Sequence, residues 1–474
     1  MDPALDRHVA LIGFMGAGKT TLGEQAAARL GRPFVDLDRE LERETGEPIA
    51  TLFRQSETDF RIREAKKTIE TLEQRKPAVV ALGGGAVTSE SVRTALRAHA
   101  FTVLVDVDVD EAWERTRGGD RPLAQDELRF RALHTKRQPL YDENADARAT
   151  DVDGVVLAAA AVHVESASFV RLGDLTGAQP LVLVADANLA RLYGSAAREA
   201  LGERLATRHQ LPAGEEAKTL EVVEQLWRDL RLDRGGALVA FGGGCTIDAA
   251  GFAAATYLRG IDWYSVPTSL VAQVDAGIGG KTAIDLPEGK NLVGAFHWPR
   301  NTIVDPELLQ TLPAPERREG LAEVVKTGLL AGEELWALDD AELVRRSAAF
   351  KAAVCLRDPH DRGDRAILNL GHTFAHALEA SAGYRGVTHG QAVGLGLLAA
   401  LRLSGLDTAP VDEVLSPQPV RVDRDRAWEA LQRDKKAVNG RVRLVLLEAL
   451  GKPVYGVERP EDEVRAALNS LIAG

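Results

Sequence analysis

Cysteine is nearly absent from the chain. Cys245 and Cys355 are the only two among 474 residues, so no disulfide framework can hold the fold, and a reducing compartment is expected. No apolar run approaches membrane-spanning length, and Met1-Asp2-Pro3-Ala4-Leu5-Asp6 places no basic segment ahead of apolar residues. The expected setting is therefore cytoplasmic, with no membrane partner. Positive charge is in deficit, 58 Lys and Arg against 70 Asp and Glu for a net charge of −12, which argues against a nucleic-acid partner. Small anions are not excluded, since local Lys/Arg groups and backbone amides can hold them. What remains is an ordinary globular composition, 45% hydrophobic and 27% charged, in a chain too long for one core and suited to two or three domains.

The clearest motif lies near the amino terminus. Val9-Ala10-Leu11-Ile12 reads as a buried parallel strand and runs straight into Gly13-Phe14-Met15-Gly16-Ala17-Gly18-Lys19-Thr20, with Thr21 to Leu30 as the following helix. In such a GxxxxGKT loop the glycines, here Gly16 and Gly18, turn backbone amides inward around phosphates. Lys19 reaches the outer phosphates, and the Thr20 hydroxyl can ligate magnesium, with Thr21 beside it. Phe34-Val35-Asp36-Leu37-Asp38 is expected to end a second strand with both acids on one side, by the period of two. One acid can sit by magnesium while the other accepts hydrogen bonds from a substrate hydroxyl. Arg61, the turn Gly83-Gly84-Gly85, and a lid bracketed by Arg121 and Arg137 complete a set suited to a small-molecule kinase.

The second half opens on another strand pattern. Leu181 to Ala185 ends at Asp186 with Asn188 beside it, and Ala237 to Phe241 runs into Gly242-Gly243-Gly244, with Asp248 four residues on. Strand, glycine turn and helix start form the geometry of a dinucleotide pyrophosphate site, although no GxGxxG is present. Glu215 and Lys218, with Thr268 and Ser269, can add contacts to ribose, phosphate and adenine. The series Gln273 to Thr282, carrying Asp275 and Lys281, and then Gly289-Lys290-Asn291, is equipped to hold a phosphorylated polyol acid. Beyond Pro306 helical periodicity takes over. There His372 and His376 sit four residues apart on one helix face, His389 follows, and Glu323 stands near Lys326 in an apolar run. Two imidazoles and one carboxylate make an open catalytic zinc set. Spacing alone pairs His372 with His376.

On these motifs, residues 8 to 165 resemble shikimate kinase. The resemblance implies that Asp38, Arg61, Gly83, Gly84, Gly85 and Arg137 hold the shikimate hydroxyls and carboxylate, and that Asp38 accepts the proton of the reacting hydroxyl. It further implies that Asp36 and Thr20 serve the Mg2+ that accompanies ATP, that Arg121 closes on the transferring phosphate beside Lys19, and that Arg115 or Arg117 contacts adenine.

From about residue 180 onward the chain resembles 3-dehydroquinate synthase, in GGG…D, VPTSL, VDAGIGGKT, GKN, GLAEVVK, LNLGHTFAHALE, HGQAV and RDKK. That likeness implies NAD, a divalent metal (Zn2+ or Co2+), and conversion of 3-deoxy-arabino-heptulosonate 7-phosphate to 3-dehydroquinate with phosphate release. By position, Glu323, His372 and His389 become the metal ligands, and His376 either supports those ligands from behind or relays a proton near the phosphate. Asp186, Asn188, Glu215, Lys218, Gly243, Gly244, Asp248, Thr268, Ser269, Lys281 and Lys290 face NAD. Asp275, Lys281, Asn291, Lys326, Lys351, Arg365, Asn369 and Lys435 or Lys436 surround substrate, and Arg259 reaches the site of a neighbouring subunit in a homodimer. The expected architecture is α/β: a P-loop parallel-sheet domain over 1–166, a linker over 167–179, a Rossmann-like NAD-binding domain over 180–305, and an all-α metal-binding domain over 306–474.

Overall fold

A computed structural model describes residues 3–119, 122–177, 179–383, 386–433 and 442–473. The chain divides into two compact units, Met1–Val162 with Ala352–Arg357, and His163–Lys351 with Asp358–Gly474. In the first unit, strands β1 (His8–Ile12), β2 (Phe34–Asp36), β3 (Val79–Ala81), β4 (Ala100–Val105) and β5 (Ala147–Ala149) form one parallel sheet in the order β2-β3-β1-β4-β5. All five residues of β1 and all six of β4 are buried, which is why these strands read as unbroken apolar runs rather than as alternations. The loop after β1 leads into the helix Lys19–Leu30, so the glycine-rich turn lies at the carboxyl end of the central strand.

One expectation about this sheet fails. β2 stops at Asp36, and Asp38 lies in the first turn of the helix Leu37–Thr45. Asp36 caps that helix, accepting from the backbone N–H of Asp38 at 3.0 Å and of Arg39 at 3.2 Å. An acid at the end of a strand satisfies orphan helix donors better than it extends the strand, and the cap overrides the period of two.

In the second unit a six-stranded sheet contains β6 (Val162–Val164), β7 (Leu181–Asp186), β8 (Leu205–Leu211), β9 (Ala237–Gly242) and β10 (Asp262–Pro267). After β10 the chain makes an antiparallel hairpin of β11 (Lys281–Leu286) and β12 (Gly289–Phe296), then returns to the sheet as β13 (Asn301–Val304). The order is β6-β13-β10-β9-β7-β8, with β7, β8, β9, β10 and β13 pairing in parallel.

The segment expected to be a linker is built into this unit. Ser168–Arg171 and Leu172–Leu175 are short helical turns whose Phe169 and Leu172 pack into the same core as Leu181, Ala197 and Phe241. Asp305 fixes the entry, accepting from the backbone N–H of Ala167 at 3.1 Å and Phe169 at 3.0 Å. Buried apolar side chains, not composition, decide that residues 167–177 are folded.

The carboxy-terminal part is helical. Its core joins the helices Ala314–Ala331, His372–Ser381, His389–Ser404 and Arg424–Arg433 through Val325, Phe374, Leu378, Leu397 and Leu431. One hairpin, β14 (Leu444–Ala449) with β15 (Lys452–Val457), adds strands to a region expected to be helical throughout, and its Leu444 to Leu447 enter the same core. Among the described residues no helix is long and apolar enough to cross a membrane.

Candidate functional site

Each unit gathers its own set of chemical groups. In the first, Gly18 adopts φ 87° and the helix Lys19–Leu30 begins with no side-chain cap. A Cβ on Gly18 would meet nothing within 4 Å, so it is the positive φ rather than crowding that calls for glycine there. Gly16 is the tight point. A Cβ there would lie 2.8 Å from the carbonyl of Ala112, which only glycine avoids. Lys19 Nζ donates to the carbonyls of Gly13 at 2.9 Å and Phe14 at 3.0 Å, folded over the loop it would serve. Thr20 donates its hydroxyl to Asp36 Oδ2 at 2.6 Å, joining the loop to the end of β2. Thr21 faces solvent. Of the two arginines considered for adenine, Arg115 reaches the carbonyl of Gly16 at 3.1 Å, whereas Arg117 is paired outward with Glu114 at 2.6 Å.

Next to this loop the turn Gly83–Gly85 is a cradle that side chains would fill. A Cβ on Gly83 would overlap the Glu64 carboxylate and come within 2.9 Å of Asp38 Oδ1, and one on Gly85 would overlap the Arg61 guanidinium. Asp38 thus reaches the glycine turn from a helix rather than from a strand. Arg61 is held by Glu64 at 2.5 Å, while Arg137 and the Tyr141 hydroxyl donate to the Gly84 carbonyl at 3.3 and 2.5 Å. Burial raises the Glu64 pKa even though Arg61 opposes it, and burial lowers that of Arg137. Glu64 escaped the sequence reading, although it stands three residues after Arg61 on one helix face. Arg121 lies outside the described residues, as do Lys435 and Lys436.

In the second unit Gly243 caps the helix Gly244–Thr256 without a side chain, so again no side chain bonds the amides at a helix start. The Thr268 N–H donates to the Gly242 carbonyl at 3.0 Å, and a Cβ on Gly243 would approach Ser269 Oγ at 3.4 Å, so the two loops meet closely. Asp186 caps the helix Ala187–Leu201 through the N–H groups of Asn188 and Leu189, at the end of the neighbouring strand. Lys218, 4% exposed, pairs with Asp248 at 2.8 Å, bonds the Asn291 side chain, and stands 3.9 Å from Asp285. Burial opposes its charge, but Asp248 and Asp285 outweigh that and hold its pKa up. Lys290 meets Glu215 at 2.7 Å. Lys281 is not turned toward this cluster: it is half exposed and pairs with Asp361 at 2.5 Å.

The helical part brings the metal candidates together. Glu323, His372 and His389 present one donor atom each, all within 4.8 Å of one another. His389 Nε2 stands 3.0 Å and His372 Nε2 3.4 Å from Glu323 Oε1. His376 lies on the same helix as His372, with ring centroids 5.6 Å apart, but is exposed and outside this donor group. Spacing along one helix therefore does not select the pair. The packing of the helix His389–Ser404 against His372–Ser381 supplies the second imidazole instead.

Lys326, one turn from Glu323, pairs with it and stands 3.7 Å from Asp275, and Lys351 reaches both the carboxylate and the carbonyl of Asp275 at 2.7 Å. Asp275 sits in a π-helical turn, Ala272–Ala276, a local widening frequent at functional positions. Arg365, 2% exposed, donates to the Gly279 carbonyl at 3.0 Å, while Asn369 bonds the nearby Ala366 carbonyl. Arg259 is exposed at a strained corner, φ 70° after Leu258 at φ 52°. Two carboxylates near these groups were missed from sequence. Asp285 accepts from the Asn291 N–H at 2.7 Å, and Glu379 stands 3.4 Å from His389 Nδ1; its place seven residues after His372 was the available signal.

Fold and sites together define an enzyme class with two active units, a P-loop kinase and a metal-site lyase. Family models match for shikimate kinase at residues 15–164, for the N-terminal part of 3-dehydroquinate synthase at 208–319, and for its C-terminal part at 320–437. The 3-dehydroquinate synthase of Synechococcus sp. is 40% identical over 338 residues, 64% of this chain and 92% of that protein. That of Gloeobacter violaceus is 43% identical over 290 residues, 55% of this chain and 80% of its own length. Among solved structures, the 2-epi-5-epi-valiolone synthase of Streptomyces hygroscopicus subsp. jinggangensis, with NAD+ and Zn2+ bound, matches at TM-score 0.59 and 26% identity, over 65% of this chain and 96% of that one. The chain belongs to the 3-dehydroquinate synthase family and carries a shikimate kinase unit ahead of it.

Proposed function

We propose that this bifunctional chain performs two steps of the shikimate pathway. Its first unit phosphorylates shikimate with ATP to shikimate 3-phosphate. Its second converts 3-deoxy-arabino-heptulosonate 7-phosphate to 3-dehydroquinate and phosphate. The reading rests above all on the convergence of Glu323, His372 and His389 beside Lys326, Asp275 and Lys351.

In the kinase, Lys19 turns from the loop carbonyls to the outer phosphates, and Thr20 with Asp36 is placed for magnesium. Arg61 and Arg137 offer forks that suit a carboxylate, and Asp38 takes the proton of the attacking hydroxyl. Catalysis is mainly positioning and charge neutralisation.

In the synthase, a carboxylate and two imidazoles fit a divalent transition metal, and the helix start at Gly243 with Lys218, Asp248, Thr268 and Ser269 fits NAD. When bound, these supply polarisation of a substrate oxygen and a reversible hydride acceptor. Lys326, Lys351, Arg365, Asn291 and Asn369 clamp the substrate's anionic and hydroxyl groups, and His376 carries a proton near the departing phosphate. We place NAD binding in residues 180–305 and metal binding in 306–474, and assign Arg259 to the site of a second copy in a homodimer.

The test is phosphate release from the heptulosonate 7-phosphate with NAD, before and after chelation. Release that stops on chelation, returns with zinc and accumulates no NADH supports the synthase; net NADH formation overturns it. Shikimate with ATP tests the kinase, and Asp38→Asn should abolish that activity while the synthase persists.

A further inference from the structure

Both imidazoles of the donor group use one ring nitrogen toward Glu323, so the other nitrogen must be held by something else. For His372 that partner is the Leu370 carbonyl, 3.1 Å from Nδ1. For His389 it is a carboxylate: Nδ1 lies 3.4 Å from Glu379 Oε1, while Nε2 faces Glu323. Glu379 is 6% exposed, and burying a carboxylate is costly unless a partner satisfies it. Its own helix places it: residues 372, 376 and 379 follow the spacing of one face, and that face meets the start of the helix His389–Ser404.

We infer that Glu379 is a positioning residue, which accepts the hydrogen bond of the His389 Nδ1–H and so fixes the tautomer that offers Nε2 as the ligand atom. This rests on the metal reading of the site proposed above. The separation is long for a hydrogen bond, so the work done is orientation and charge balance. Residues holding the far nitrogen of a ligating imidazole commonly change metal affinity 10- to 100-fold when removed.

Zinc affinity is measured on the metal-stripped full-length protein by competition with a chromophoric chelator. Glu379→Ala should bind zinc about 10- to 100-fold more weakly than the unaltered chain. Glu379→Gln, which keeps shape and an acceptor oxygen but not the charge, should fall between the two. Melting of the metal-free protein and turnover of the kinase unit should stay unchanged in both. Zinc affinity equal to wild type in either variant overturns the assignment, as does a loss matched by loss of the metal-free fold in Glu379→Gln. Should Glu379→Ala not fold, Glu379→Gln decides alone. If the unaltered chain itself takes up no zinc, and Glu323→Gln changes nothing, the metal reading fails instead.

Discussion

Lys326 and Glu323 form an ion pair one helical turn apart, with side chains only 2% and 1% exposed. Neither charge can be hydrated by bulk water, so each depends on the other and on what else is near. Glu323 also faces two imidazoles, and Lys326 also faces Asp275. The pair therefore ties the metal candidates to the substrate candidates, and four predictions follow the groups in and around these sites.

Removing one partner of a buried pair is more damaging than replacing both. Glu323→Ala should lose zinc binding and synthase turnover. It should also destabilise the second unit by about 3 kcal/mol, the lower end of the usual range because Asp275 still faces Lys326. Calorimetry on the full chain checks this. A second-unit transition at the wild-type temperature would refute it, and kinase turnover should be retained.

Gly85→Ala should act on the kinase without unfolding it. The added methyl overlaps the end of the Arg61 side chain, which can swing away, rather than backbone, which cannot. Arg61 would then leave the glycine cradle. Steady-state kinetics should show KM for shikimate raised about tenfold or more, the cost of a lost charged contact. An unchanged KM would mean that Arg61 does not contact this substrate.

Asp275 has its pKa held to about 2: desolvation pushes it up, but Lys351 and Lys326 outweigh that. A depressed folded-state pKa contributes stability that is fully present above the unfolded carboxylate value and is lost as pH falls through the folded one. The stability gap between the unaltered chain and Asp275→Asn should thus be constant near neutrality, narrow below about pH 4, and close near pH 2. Second-unit melting across that range would show it. A gap that widens on acidification would reverse the assignment.

Cys245 follows the glycine turn of the second unit, where burial, and then Glu215, push its thiol up to about 12; Cys355 is fully buried. Thiolate is the reactive form, so neither should be modified at pH 8 in the native protein. A thiol reagent should count two groups only after denaturation. Rapid native reaction of one would contradict the geometry at Cys245.

Much of both sites was legible because it is written in short segments. GxxxxGKT and the Gly242–Gly244 turn encode backbone conformation and open amides within a few residues, and such geometry needs no distant partner. Glu64, Asp285 and Glu379 were not legible in the same way. An acid on a helix or hairpin gains meaning only from what packs against it, and Asp36 changed role because a helix start needed its oxygen more than the strand needed another residue.

The sequence by itself determined the parallel strands, the two glycine-rich turns, the helical nature of the last third and the families to which the two halves are related. Local apolar runs and glycine positions suffice for these. Tertiary structure alone decided that residues 167–177 belong to a core and that a hairpin closes the helical part; it also supplied the physical reason that His389, named by the family resemblance, rather than His376, favoured by spacing, joins His372 at Glu323. Those outcomes depend on which side chains are buried together and how two helices pack, and neither is a property of spacing along one chain segment.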